Sequence, residues 1–258
     1  MPTIPIDGGV LNYRIDGDPK APPLVFSNSL GTALAMWDWQ VPDFAKRYRV
    51  IRYDQRGHGG STATPGFYKM ETLGRDVIAL LDALGIESAY YCGLSMGGMT
   101  GMWLGANAPK RFKKLVLSNT SARMPQDVWK ARIETALGPG MTALVDSVAE
   151  RWFSKEFRAK DPAAVNKVRA MILATSGQGY AGCCGAIRDM DHRGILKDIP
   201  LPTLVIVGSR DPATPPADGQ LVHEGIRGSR LVTLEAAHLS NIEQAAWFTK
   251  AVLDFLAA

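Results

Sequence analysis

Short apolar runs closed by turn residues recur along this chain. They are PLVFSNS (23–29), YRVIRYD (48–54), SAYYCGLS (88–95), KKLVLSNT (113–120), PTLVIVGS (202–209) and SRLVTLEA (229–236). Each is continuous rather than alternating, the pattern of a strand buried on both faces of a parallel sheet. GVLNYRID (9–16) alternates instead and predicts an antiparallel edge. Helical patterns lie between the runs. Leu73, Val77, Leu80, Leu81 and Leu84 fall on one face of a helix, and Gly85 follows as its stop signal. Residues 241–257 predict a final helix, with Asn241 as N-cap and Glu243 in an acidic first turn. This alternation predicts an α/β fold with a mostly parallel, doubly wound sheet.

The alternation stops between residues 123 and 196. Met141, Leu144, Val145, Val148 and Trp152 form one helical stripe there, and Val165, Val168, Arg169, Ile172 and Leu173 another. The pattern predicts three or four short helices inserted as a cap, with 1–122 and 197–258 as the sheet core. A helical insert at the carboxyl end of a sheet roofs a site, excludes water and shapes a pocket.

The candidate chemistry sits at strand ends. In CGLSMGG (92–98), Gly93, Ser95 and Gly97 match G-x-S-x-G directly after a predicted strand and before a helix. A serine there sits on a sharp, strained turn, and its neighbours two away must be tiny for strand and helix to approach. Serine at its own pKa is a poor nucleophile and needs a base held by a third group. On such folds the order along the chain is Ser, acid, His. His238 follows the last predicted strand, and Asp211 follows the one before it, with Pro212 ending regular structure. His58 precedes Ser95, His192 lies in the insert and His223 on a helix face, so all three read as surface or core residues. Asp189 and Asp191 lie in the insert, away from a strand end. The oxyanion hole draws one N–H from Met96, after the nucleophile, and one from Leu30, in the loop after the third strand. Asn28 and Ser29 are expected to brace that loop through side-chain bonds to nearby backbone.

Composition narrows the picture from outside. The chain has 258 residues, 46% hydrophobic and 21% charged, as soluble globular proteins do. A net charge of +4 with no long Lys/Arg run gives nucleic acid no footing. No apolar stretch is long enough to span a membrane, and the N-terminus lacks the basic start and apolar core of a signal peptide. Cys92, Cys183 and Cys184 form neither a disulfide framework nor a zinc site. No metal constellation and no phosphate loop is present. The expectation is a cytoplasmic enzyme without metal or cofactor.

Four stretches carry a family resemblance: SNSLGT (27–32), RYDQRGHGGS (52–61), GYAGCCGAIRDMD (179–191), and DPATPP (211–216) with AAHLSNIEQ (236–244). In these the chain resembles the 3-oxoadipate enol-lactonases of bacterial aromatic catabolism, within the α/β-hydrolase superfamily. Many members of that superfamily carry His-Gly ahead of the oxyanion-hole residue; here Asn28 and Ser29 stand in those places. Ala245 stands where a proline is common. The resemblance implies a small anionic substrate, a five-membered unsaturated lactone with a carboxymethyl arm. Its carboxylate needs a cation, for which Arg132 and Arg188 in the cap are candidates, with Trp129 and Trp152 as pocket wall. The same triad also serves other ester hydrolases, carbon–carbon bond hydrolases and cofactor-free perhydrolases, because fold alone does not fix substrate.

Overall fold

The computed structural model describes residues 1–258. Eight strands form one sheet: β1 (Thr3–Ile6), β2 (Gly9–Asp16), β3 (Pro23–Ser27), β4 (Arg49–Tyr53), β5 (Ala89–Leu94), β6 (Phe112–Ser118), β7 (Thr203–Gly208) and β8 (Arg230–Leu234). Their order is β1-β2-β4-β3-β5-β6-β7-β8. The pairs β1–β2 and β2–β4 are antiparallel and all others parallel. Strand β2 is antiparallel but not the edge. It is covered by β1, which pairs Thr3 with Asn12 through Ile6 with Gly9. The short TIPI strand has no readable strand pattern because it carries Pro5, a residue that edge strands tolerate.

Outside the region between β6 and β7, the helices are α1 (Val41–Phe44), α2 (Met70–Ala83), α3 (Met96–Asn107), α9 (Pro216–Gly225), α10 (Ser240–Glu243) and α11 (Ala245–Ala257). Helices α2 and α3 pack together against the sheet, and α1 packs with α11. Helix α2 buries Leu73, Val77, Leu80 and Leu81. It ends where Gly85 takes φ 64° and Ile86 N–H reaches back to Leu81 O at 2.9 Å, a left-handed C-terminal closure. The predicted final helix is two helices. Gln244, at φ −124° and ψ 47°, breaks it. Asn241 caps nothing; its amide donates to Met36 O at 3.0 Å and ties this segment to the loop after β3.

Five helices lie between β6 and β7: α4 (Gln126–Leu137), α5 (Val145–Trp152), α6 (Lys155–Lys160), α7 (Pro162–Ala174) and α8 (Gly177–Asp189). Ser154, Asp161 and Ser176 cap the last three by accepting from Phe157, Ala164 and Gly179 N–H. A bridge between Arg123 and Asp191 closes the neck of the insert. Core and cap share one apolar cluster, which includes Trp129, Val148, Ile172 and Tyr180.

Helix α8 explains why the cap is seated so closely. Its glycines face the loop after β4. A Cβ at Gly179 would lie 2.2 Å from Gly57 O, and one at Gly182 would lie 2.6 Å from the Tyr68 ring. Tyr68 N–H also donates to Gly182 O at 2.8 Å. Gly179→Ala should therefore lower unfolding free energy by about 1–3 kcal/mol or more, because the clash is with backbone that has nowhere to move. Gly194→Ala, where a Cβ meets nothing within 4 Å, should stay within about 0.5 kcal/mol. Urea denaturation of both variants checks the contrast.

Candidate active site

Ser95 joins β5 to α3 with φ 57° and ψ −116°, a conformation that side-chain-bearing residues rarely adopt. Its surroundings force this. A Cβ at Gly93 would lie 2.2 Å from Gly97 O, and one at Gly97 would lie 2.2 Å from Ser27 O. The turn is pinned on both sides: Ser95 N–H donates to Ser118 O at 2.9 Å, and Thr120 Oγ1 donates to Ser95 O at 2.8 Å. Gly97 N–H donates to Asn28 O at 3.0 Å, which fastens the loop after β3 to the elbow.

Asp211 follows β7 and His238 follows β8. His238 Nδ1 donates to Asp211 Oδ2 at 2.8 Å, which leaves Nε2 free as a base. Asp211 is buried and accepts four more bonds. Ala213 and Thr214 N–H reach Oδ1 at 2.8 and 3.0 Å; Thr214 Oγ1 and Asn119 Nδ2 reach Oδ2 at 2.8 and 3.0 Å. Burial alone would raise its pKa, but the His238 charge and these donors outweigh burial and hold the carboxyl below its ordinary value. Asn119 takes the one other positive φ outside glycine, 44°, and also donates to Ala237 O at 3.2 Å. It thereby holds acid and histidine loop together. Trp152 O accepts from Leu239 N–H, and the Trp152 ring lies 6.0 Å from the His238 ring, so the cap packs directly on the His238 segment.

Ser95, His238, Leu30 and Ser29 line one cavity of about 590 Å³. Leu30 N–H donates to no protein acceptor, and Met96 N–H, at the start of α3, lacks an intrahelical one. Asn28 braces the loop as expected: its Nδ2 donates to Tyr53 O at 2.8 Å and its Oδ1 accepts from Trp37 Nε1 at 2.9 Å. Ser29 does not. Its Oγ is buried without any partner. A further brace is His58, which sequence reasoning set aside. Its Nε2 accepts from Gly31 N–H at 2.8 Å and its Nδ1 donates to Arg56 O at 3.1 Å. Arg56 is itself gripped by Asp76 at 2.8 and 2.6 Å.

The cap supplies the cations on the wall. Arg132 lies with its guanidinium 4.7 Å from the Trp129 ring centroid and Nη1 3.4 Å from the Tyr180 hydroxyl. Arg151, from α5, donates to Ser147 O at 3.1 Å. Neither forms an ion pair. Burial, and then the Arg132 charge, push the Arg151 pKa below its ordinary value. Arg123 also lines the cavity but sits 3.9 Å from Asp191. Trp129 and Trp152 line it too. Arg188 does not: both arms of its guanidinium bind its neighbour Asp189 at 2.7 Å, and it stacks over Phe67 outside the cavity. A sequence-adjacent carboxylate at the end of α8 decides its direction. No cluster of His, Cys, Asp or Glu comes together that could hold a metal ion, and no helix is long and apolar enough to cross a membrane.

Residues 22–141 match the alpha/beta hydrolase fold family model. The chain is 45% identical over 243 residues to 3-oxoadipate enol-lactonase 2 of Acinetobacter baylyi, covering 94% of this chain and 91% of that protein. It is 41% identical to 3-oxoadipate enol-lactonase 1 of the same organism, covering 96% and 94%. The solved enol-lactonase of Burkholderia xenovorans superposes with a TM-score of 0.98 at 45% identity, over 100% of both chains. The chain belongs to the 3-oxoadipate enol-lactonases, carboxylic-ester hydrolases of the α/β-hydrolase fold. Arg151, Asn119 and His58 carried no motif of their own. Arg151 lies one helical position from Trp152 in a stripe that reads as core, and Asn119 ends a strand run as any turn residue would.

His58 yields a pH test. Burial lowers its pKa, against the opposing Arg56 carbonyl and the Asp54 charge, so the folded chain holds this ring neutral. The unfolded chain binds a proton there below about pH 6.5. Stability from this ring is therefore complete above that pH and lost as pH falls. His58→Gln accepts from Gly31 without titrating and should flatten the fall in unfolding free energy from about pH 7 to about pH 5. His192, whose buried ring is pushed down to about 4, should supply the slope that remains. Urea denaturation across that range reads both; an unchanged slope in His58→Gln refutes the assignment.

Proposed function

We propose that this hydrolase opens 3-oxoadipate enol-lactone to 3-oxoadipate through an acyl-enzyme on Ser95. Ser95 Oγ attacks the lactone carbonyl as His238 Nε2 takes its proton. Asp211 keeps the imidazole proton on Nδ1 and stabilises the imidazolium. Leu30 and Met96 N–H receive the oxyanion, each worth about 3 kcal/mol in the transition state. The ring C–O bond breaks, and the enolate leaves its carbon framework tethered to the acyl chain. It takes the proton that His238 carries and becomes a ketone, which returns His238 to its neutral form. Water, deprotonated by His238, then attacks the acyl carbonyl, and 3-oxoadipate departs as Ser95 regains its proton.

One observation carries the substrate class. The guanidiniums of Arg132 and Arg151 face the same cavity as Ser95 and His238 with no carboxylate of the protein bound to them. Two cations left unpaired beneath a roof repel each other, and an anionic substrate relieves the repulsion. A lactone with a carboxylate arm has the anion at one end and the reacting carbonyl at the other. Trp129 supports the Arg132 guanidinium from its ring face.

Freshly made enol-lactone should lose its ultraviolet absorbance far faster with enzyme than without. Ser95→Ala should cut kcat by roughly 10⁴- to 10⁶-fold. A wild-type rate no better than spontaneous hydrolysis would sink the substrate assignment. Arg132→Ala and Arg151→Ala should each raise KM for the lactone by about 10- to 100-fold, the worth of a charged hydrogen bond. For a neutral 4-nitrophenyl ester the change should be much smaller. Equal effects on the two substrates count against a carboxylate contact.

A further inference from the structure

The loop after β3 satisfies its own polar groups almost completely. Ser27 Oγ bonds the Tyr53 hydroxyl at 2.8 Å. Asn28 is engaged at both ends of its amide. Ser29 O accepts from Thr32 Oγ1 at 2.7 Å, and Ser29 N–H points at Met36 Sδ at 3.3 Å. Gly31 N–H is bound by His58. Among the donors of this loop that find no protein acceptor are Leu30 N–H and Ser29 Oγ–H. Both belong to residues that line the cavity of Ser95.

The orphan hydroxyl calls for a reason. Ser29 is fully buried, and a buried hydroxyl without a partner destabilises the fold relative to the same position occupied by alanine. Met36 Sδ already takes the Ser29 and Thr32 donors, Ser29 O is taken by Thr32, and the unpartnered Gln55 Oε1 nearby makes no bond to it. The partner must come from outside. Ser29 and Leu30 are adjacent in the chain, and both line the cavity that holds Ser95 and His238.

We infer that the Ser29 hydroxyl is a third donor to the substrate's carbonyl oxygen, beside Leu30 and Met96 N–H. The inference rests on the reading that Ser95 is the nucleophile in this cavity. The bond strengthens as charge builds on the oxygen during attack, so its effect falls on kcat rather than on substrate binding.

The test compares Ser29→Ala and Ser95→Ala with the wild type on the enol-lactone and on 4-nitrophenyl acetate, together with thermal unfolding. Ser29→Ala should lower kcat by roughly 10- to 10³-fold on both substrates, with KM changed less than about threefold. Its Tm should hold or rise, because the variant removes an unsatisfied group. An unchanged kcat with Ser95→Ala inactive overturns the donor role and leaves the nucleophile standing. A fall in Tm that tracks the loss of activity overturns it too, since the hydroxyl would then be structural. Activity retained in Ser95→Ala overturns the nucleophile, and this inference with it.

Discussion

Gly97 has no side chain because the Ser27 carbonyl occupies its place, 2.2 Å from where a Cβ would stand. The rest of the site depends on that approach. It lets α3 start directly above the end of β3. It puts the Ser95 turn and the loop after β3 within hydrogen-bonding distance, through Gly97 N–H and Asn28 O. It also forces Ser95 into its strained backbone, and the cost of about 1–3 kcal/mol is carried by the sheet on either side. The loop that carries Leu30 and the N-terminus of α3 are thus fixed against each other.

The electrostatics divide the cavity into two ends. On the floor, a buried carboxylate is held ionised by five donors and presents its charge to one histidine. On the roof, two guanidiniums stand without a counterion. The floor is self-contained and the roof is incomplete. That asymmetry separates an end of the cavity whose charge is balanced within the protein from an end whose charge is not.

The cap is seated by close approaches at its glycines as well as by the apolar cluster it shares with the core. The glycines of α8 press on Gly57, Tyr68 and Phe67, and Tyr180 packs beside Gly31. The helix that holds the roof therefore also backs the oxyanion loop. The cap's Trp152 meets His238 from the other side. The cap is thus in contact with both the loop after β3 and His238.

Much of this was legible in the chain alone. The six apolar runs are strands of the sheet, and the placement of Ser95, Asp211 and His238 just past strand ends was readable, since a parallel sheet gathers its carboxyl ends at one edge. The family was readable too, because its motifs span core and cap. Local pattern could not supply what depends on distant neighbours. The strand β1 was hidden by its proline and exists only because β2 lies beside it. The final helix breaks at Gln244, and Asn241 turns to Met36 rather than to its own helix. Of the cap arginines, Arg188 is captured by Asp189 while Arg151 is left free, and only the packing of α4, α5 and α8 decides which guanidinium finds a carboxylate. Likewise Asn28 and Ser29 look alike as loop polar residues. Tyr53 and Trp37 satisfy the first, and nothing satisfies the second, because hydrogen-bond partners are a property of the folded neighbourhood and not of the residue.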